Sequence, residues 1–191
     1  MSKVYITSLQ SEFAQELKRI FEEKGYAVAT QPEEGVEFFI DTTDEYIPGD
    51  DRRVGEGLDA EAAALAYRKN VCEPIAKLEQ TLPGMTGKKR ICFLNSCHAS
   101  VNWSQDTVGF GHNMSKAALN QILVLTKNGL IEQGFTFRLF DPMAGQVTAK
   151  AAAGSAFVYF TRDRFSDGDN LFRMDERNLV VRDALGREIP W

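Results

Sequence analysis

Two side chains four positions apart, His112 and Lys116, are of types that could perform acid–base chemistry together. They lie in the segment GHNMSKAALN, at the start of a predicted helix. An imidazole exchanges protons near neutral pH, and a neighbouring lysine ammonium favours its neutral form. The pair therefore indicates either a group that transfers protons or a former catalytic site that has lost its activity.

Strands and helices must alternate along the chain to position these residues. Short apolar runs predict strands at 3–7, 27–30, 36–41, 90–96, 135–141 and 156–160. Helical spacing of apolar residues predicts helices at 11–24, 58–82 and 113–131. This alternation predicts an α/β fold, a Rossmann-like doubly wound parallel sheet, within a single domain of residues 1–191.

Composition limits the classes of partner. The 191 residues include 22 basic and 27 acidic residues, and the net charge is −5, which argues against nucleic-acid binding. We expect no membrane segment, because no window approaches the roughly 20 apolar residues of a membrane helix, and no apolar leader is evident. Three cysteines without a CxxC pair indicate reduced thiols. We therefore expect a cytoplasmic protein without a metal site.

The segment GFGHNMSKAALN resembles the active-site helix of the short-chain dehydrogenases/reductases, in which YxxxK carries the catalytic Tyr and Lys. Other segments resemble that family in the same order: GEGLD at 55–59, RKNVCEPI at 68–75, RICFLNS at 90–96 and DPM at 141–143. The resemblance covers most of the chain. It implies a Rossmann-type fold and NAD(P)-dependent carbonyl or hydroxyl redox chemistry.

The same resemblance places the family's catalytic Asn, Ser, Tyr and Lys on Asn70, Ser96, His112 and Lys116. In the family, Tyr transfers a proton at the substrate oxygen and Ser holds that oxygen. Lys lowers the pKa of Tyr and binds the ribose, and Asn supports a water relay. The substitution by His112 changes the acid, and its shorter ring would place the proton donor differently.

The family's cofactor-binding segments are altered. Its TGxxxGxG turn aligns with residues 7–14, where Ser8, Glu12 and Ala14 replace the glycines, and its NNAG turn aligns with 41–44, DTTD. Glu12 would put a carboxylate near a phosphate, where like charges at ~4 Å repel by about 1 kcal/mol in water. Only QPEEG separates the second and third strands, so the sheet is expected to be shortened at its adenine-side edge. These changes lead us to expect no cofactor.

The helices that the resemblance assigns to subunit assembly keep their apolar character in this sequence. In the family, the helices equivalent to 58–82 and 113–131 pack against those of a neighbouring subunit, and the last strand and tail, here 161–191, form a second interface. Both helices keep small and apolar stripes. Our first hypothesis is therefore a pseudoenzyme, a non-catalytic structural or regulatory subunit that forms a homo- or hetero-oligomer with a complete homologue. We also expect segment 161–178 to be flexible or partner-dependent.

Two other functions stay open. A divergent NAD(P)-dependent oxidoreductase would use Ser96, His112 and Lys116, with the cofactor or pocket completed by a partner chain. A small-molecule-binding module would reuse the substrate cleft without a nicotinamide. A metal pair of His98 and His112 lacks well-spaced carboxylates, and a hydrolase based on Ser96 lacks a G-x-S-x-G elbow, so neither is favoured.

Overall fold

The computed structural model describes residues 1–162 and 179–191. Its strands are β1 (Lys3–Ile6), β2 (Ala27–Ala29), β3 (Val36–Asp41), β4 (Met85–Leu94), β5 (Thr136–Asp141), β6 (Val181–Asp183) and β7 (Glu188–Ile189). Its α-helices are α1 (Glu12–Glu23), α2 (Ala60–Tyr67), α3 (Glu73–Thr81), α4 (Phe110–Leu130) and α5 (Ala149–Thr161). No helix of the described residues is both long and apolar enough to cross a membrane.

The strands form one seven-stranded sheet in the order β2-β1-β3-β4-β5-β6-β7. Neighbouring strands pair in parallel except β6 and β7, which are antiparallel. This confirms the predicted α/β, Rossmann-like class. A loop without a helix joins β2 to β3, and the three-residue β2 lies at one edge of the sheet.

Alternate side chains of each central strand pack into different cores on the two faces of the sheet. On β3, Phe38 and Ile40 face the core formed with α1 and α5, whereas Phe39 faces the core formed with α3 and α4. On β4, Cys92 belongs to the first core and Phe93 to the second. The continuous apolar runs of the sequence therefore reflect strands buried on both faces.

The predicted strand at 156–160 is wrong, because these residues belong to helix α5. Thr148 caps this helix by accepting a hydrogen bond from the amide of Ala151 at 3.3 Å. The alanine-rich segment that follows the cap has high helix propensity, and a short run such as AFVYF does not by itself distinguish strand from helix. The strands of the tail are instead β6 and β7. Within the predicted flexible segment 161–178, residues 163–178 lie outside the described part of the chain.

The predicted helix 58–82 is divided into three parts. A π-helical turn, Arg68–Cys72, connects α2 to α3, and its Asn70 is completely buried. Single π turns insert one extra residue into a helix and often occur at functional sites. The turn brings the Asn70 amide to face the loop after β3.

Helices α2 and α4 touch closely because Gly111 has no side chain. A Cβ at Gly111 would lie 2.8 Å from the Cα of Ala63 and 3.1 Å from the Cβ of Ala66. Backbone atoms cannot yield as the end of a flexible side chain can. The contact therefore sets the position of the first turn of α4, which carries His112.

We expect Gly111→Ala to destabilise the chain by about 1–3 kcal/mol, because the added methyl group overpacks this contact. Gly129→Ala in the same helix is the matched control, since a Cβ there meets nothing within 4 Å. That control is expected to gain up to about 1 kcal/mol from helix propensity. Urea unfolding measures both, and a Gly111→Ala variant as stable as Gly129→Ala would contradict the close contact.

Candidate functional site

The loop that follows β3 lies over the carboxyl ends of the strands, where α/β sheets bind ligands. Asp41, the last residue of β3, is buried and accepts hydrogen bonds from the hydroxyls of Thr7 (2.6 Å) and Thr43 (2.9 Å). Thr42 donates to the carbonyl of Ser8 at 2.6 Å. These bonds hold the loop against the turn between β1 and α1. Burial raises the pKa of Asp41.

Asp44 of this loop joins His112 and Lys116 in one polar network. Its Oδ1 lies 2.8 Å from Nε2 of His112 and 3.1 Å from Nζ of Lys116. The ammonium of Lys116 also donates to the carbonyl of Thr43 at 2.8 Å. His112 and Lys116 are completely buried, whereas the side chain of Asp44 is 32% exposed. Asp44 is therefore the member of the network that a ligand can reach.

Two further contacts fix the loop to the helices. The carboxylate of buried Asp50 accepts hydrogen bonds from the amides of Gly111 (2.5 Å) and His112 (2.7 Å), which the first turn of α4 leaves without helical partners. Asn70 accepts from the amide of Glu45 at 2.8 Å and donates to its carbonyl at 2.9 Å. Asn70 is thus a clamp for the loop. These contacts hold Asp44 over α4.

The charges of the network explain its electrostatics. Burial alone raises the pKa of Asp44, but the Lys116 ammonium and the hydrogen bond with His112 outweigh it and hold that pKa well below its usual range. Tyr46 stacks on the His112 ring with centroids 3.9 Å apart and planes at 11°. Burial, followed by the negative charge of Asp44, raises the pKa of Tyr46 to about 12, so its phenol stays protonated at neutral pH.

Of the four residues predicted for catalysis, Ser96 stands apart from this network. Its hydroxyl accepts a hydrogen bond from the amide of His98 at 3.2 Å and caps the short 3₁₀ turn Cys97–Ala99. Asn70, by contrast, donates to the Ser115 hydroxyl at 3.1 Å, and that hydroxyl donates to the carbonyl of His112 at 2.7 Å. The structure therefore connects Asn70, His112 and Lys116 through the loop after β3, and Ser96 serves a local turn.

A second histidine–aspartate pair lies next to Ser96. Nδ1 of His98 is hydrogen-bonded to Oδ2 of Asp106, which also accepts from the Ser104 hydroxyl at 3.1 Å and from Nδ2 of Asn113 at 3.0 Å. Burial raises the pKa of Asp106, but the hydrogen bond with His98 outweighs it, and the net shift is downward. Asp44, Tyr46 and Asp106 were all missed by sequence reasoning. They lie in loops without periodicity, where the sequence carries no signal of which residues meet.

Two clefts adjoin the turn between β1 and α1. The β5 cleft, about 460 Å³, is lined on one side by the start of α1 and Asp44 and on the other by the loop between β5 and α5. The α3 cleft, about 510 Å³, lies among residues 7–10, Thr43, Glu45 and the polar side chains of Lys69, Glu73 and Lys77. Both open at the carboxyl ends of the strands, on the side of the sheet expected for a ligand.

The chain matches no protein-family model, and a comparison with curated proteins finds no match. Solved structures of low sequence identity match it over nearly their whole length. A carbonyl reductase from Pseudomonas aeruginosa PAO1 in complex with NADP has a TM-score of 0.79 at 15% identity, over 100% of both chains. A proposed short-chain dehydrogenase/reductase from Burkholderia multivorans with bound NADP has a TM-score of 0.76 at 11% identity, over 100% of this chain and 99% of that one. The chain therefore has the fold of the short-chain dehydrogenases/reductases.

The expectation of no cofactor is contradicted by these comparisons. Two proteins that share this fold over the full length hold NADP. The expectation relied on the replaced glycines and the DTTD segment, but helix α1 still begins at the β5 cleft, and both clefts remain open beside it. Loss of the motif therefore leaves open space at the carboxyl ends of the strands, where α/β sheets bind ligands.

The Asp44 network predicts a measurable effect on stability. Asp44→Asn keeps the shape of the side chain but leaves the buried Lys116 cation without its charge partner, which we expect to cost about 2–3 kcal/mol after allowance for the partial exposure of Asp44. Because the pKa of Asp44 is depressed, this stability is present above pH ~4 and is lost as the pH falls towards the folded-state pKa. Urea unfolding at pH 7 and at acidic pH measures the difference.

Lys116→Met is the matched control, because it removes the buried cation and leaves Asp44 bonded to His112 and open to water. It is expected to cost less than Asp44→Asn. If Lys116→Met proved the more damaging change, the charge balance described for this network would be incorrect.

Proposed function

We propose that the chain is an NAD(P)-dependent oxidoreductase that interconverts a carbonyl and a hydroxyl group. The observation that carries this proposal is the β5 cleft, which lies at the carboxyl ends of the strands between the start of α1 and the loop after β5. Proteins that share the fold over the full length hold NADP and include a carbonyl reductase. This support favours an enzyme over the non-catalytic subunit that the altered motifs indicated.

The two clefts have room for a dinucleotide, and most of the polar groups that line them suit its phosphates and sugars. Helix α1 begins at Glu12, and its N-terminal end supplies backbone amides and a partial positive charge suited to a phosphate. Lys69 and Lys77 place ammonium groups at the α3 cleft. The carboxylate of Glu12 opposes an anion at the β5 cleft, and its repulsion weakens binding without blocking the space.

Asp44 is the residue we assign to a sugar hydroxyl. Its carboxylate lines the β5 cleft, remains ionised because of Lys116, and can accept a hydrogen bond. Lys116 is fully buried behind it and donates to Thr43 and Asp44. In this chain, Lys116 therefore acts on the cleft through Asp44. A bound nicotinamide would supply or accept the hydride.

The proposal is tested by turnover and by binding. Purified chain is expected to oxidise NADPH or NADH, followed by absorbance, in the presence of at least one member of a panel of straight-chain aldehydes and aryl ketones. Glu12→Gln is expected to tighten NADPH binding about 5- to 10-fold in a fluorescence titration, because it removes a carboxylate near the phosphates.

Glu61→Gln is the control for this variant, since Glu61 occupies the first turn of α2 and lines neither cleft. It should leave the dissociation constant unchanged. A wild-type chain that neither binds a nicotinamide dinucleotide nor reduces any member of the panel would refute the proposed function.

We also propose that two copies of the chain associate through the outer faces of α2 and α4. Leu125 of α4 is 61% exposed and Leu65 of α2 is 39% exposed, whereas the opposite face of α4 is buried against the core. Apolar side chains on adjoining helices form a surface suited to helix packing. Association with a complete homologue would use the same surface.

Leu125→Glu is expected to lower the molecular mass of the assembly in sedimentation velocity, because a carboxylate would be buried in the helix contact. Val158→Glu provides the control, since Val158 is similarly exposed but lies on α5, on the other face of the sheet. Equal masses for wild type and Leu125→Glu would show that these helices are not the interface.

A further inference from the structure

The chain has two histidines, and their surroundings give them different abilities to exchange a proton with a ligand. We propose that His98, oriented by Asp106, is the catalytic acid and base that exchanges a proton with the oxygen of a carbonyl or hydroxyl substrate bound beside it. This role deepens the oxidoreductase function proposed above and rests on it. It replaces His112, which the sequence placed at the position of the proton donor.

His112 cannot reach a substrate in this structure. Its side chain is completely buried, Nε2 is bonded to Asp44 at 2.8 Å, and Nδ1 lies 3.3 Å from Oδ1 of Asn113. One face of its ring is covered by Tyr46 at a centroid distance of 3.9 Å. Both nitrogens are therefore engaged inside the protein, and His112 serves to position Asp44.

His98 has the opposite arrangement. Its side chain is 42% exposed, and Nδ1 is bonded to Asp106, while Nε2 has no hydrogen-bond partner among residues 1–162 and 179–191. Asp106 is itself held by Ser104 and Asn113. A carboxylate that binds Nδ1 fixes the ring and its tautomer and leaves Nε2 available for proton transfer.

The surroundings of His98 adjoin the proposed cofactor site. His98 lines a cleft of about 430 Å³, the His98 cleft, together with Asp106, Asp141, Met143 and Gln146. The β5 cleft is lined by the intervening residues of the same loop, Pro142, Ala144, Gly145 and Val147. The two clefts therefore adjoin the same short loop, so a substrate beside His98 would lie next to the proposed cofactor cleft.

The class of substrate follows from a second cleft at His98. His98 and Asp106 also line a space of about 620 Å³ beside the start of α4, the α4 cleft, which has apolar walls formed by Val54, Val101, Val108, Phe110 and Met114. Such walls suit a substrate with an aliphatic or aromatic body. The inferred substrate is thus a carbonyl compound whose polar end lies at His98 and whose apolar body lies in the α4 cleft.

In the direction of reduction, a bound nicotinamide would supply a hydride to the carbonyl carbon. The π electrons of the C=O bond would then move to the oxygen, and Nε2 of His98 would transfer its proton to that oxygen. The products are an alcohol, the oxidised nicotinamide and a neutral imidazole that regains a proton from water. Asp106, bonded to Nδ1, orients the ring and is a positioning residue.

The test removes the imidazole and returns it from solution. His98→Ala is expected to lower kcat at least about 100-fold for hexanal or benzaldehyde, whichever the wild type reduces faster. Added imidazole is expected to restore part of that activity, whereas pyrrole, which has the ring shape without a basic nitrogen, is expected to restore none. Tyr46→Phe, which keeps the ring stacked on His112 but removes the phenol hydroxyl, is expected to lose less kcat than His98→Ala.

A second readout needs neither cofactor nor turnover. Long-range ¹H–¹⁵N spectra of the cofactor-free wild type are expected to show that neutral His98 carries its proton on Nδ1. In Asp106→Asn the proton is expected to move to Nε2, because the carboxamide can donate to Nδ1. The same variant should then lose kcat with little change in KM.

Each outcome separates the two proposals. Turnover by the wild type, with His98→Ala equally active or rescued equally by pyrrole, would overturn the role of His98 and leave the oxidoreductase function standing. A wild-type spectrum with the proton on Nε2 would also overturn it, even if His98→Ala did not fold. Absence of turnover with every carbonyl compound and both nucleotides would overturn the oxidoreductase function itself, and the role of His98 with it.

Discussion

The arrangement of this site depends on one carboxylate placed between two buried cation-forming groups. Lys116 and His112 are completely buried in α4, and Asp44 is the carboxylate that both contact. A lysine ammonium without such a partner is strongly disfavoured in a protein interior. The loop after β3 must therefore return to α4, and its other anchors, Asp50 on the helix N-terminus and Glu45 on Asn70, are consistent with that course.

This arrangement changes the roles that the family resemblance assigned. A lysine that faces a cleft can bind a ribose directly, but Lys116 lies behind Asp44, so the group presented to the β5 cleft is an anion that accepts hydrogen bonds. His112 is also enclosed, and its Nε2 is hydrogen-bonded to Asp44. The exposed histidine is His98, one short turn after β4. We propose that loop residues carry out proton transfer and sugar binding, while the helix residues hold those loops in place.

Much of the fold could be predicted from the sequence, because buried parallel strands and amphipathic helices leave periodic apolar patterns. Strand β3 and helix α1 illustrate this, whereas AFVYF was misread because five apolar residues fit either a strand or, as in α5, a helix. The candidate site was harder to predict from the sequence. His112 and Lys116 were found from their spacing, but Asp44 and Asp106 are single polar residues in irregular loops, and their partners are 68 and 8 positions away, respectively. Only the folded chain brings such residues together.

We propose that the clefts beside the turn between β1 and α1 hold a nicotinamide dinucleotide despite the lost glycines. The most direct measurement is a titration of the ¹⁵N-labelled chain with NADPH, followed by backbone amide NMR. We expect saturable shifts at the start of α1, at Asp44 and Tyr46, and in the loop between β5 and α5, with α2 unaffected. Absence of saturable shifts, or shifts confined to surfaces away from these clefts, would contradict it.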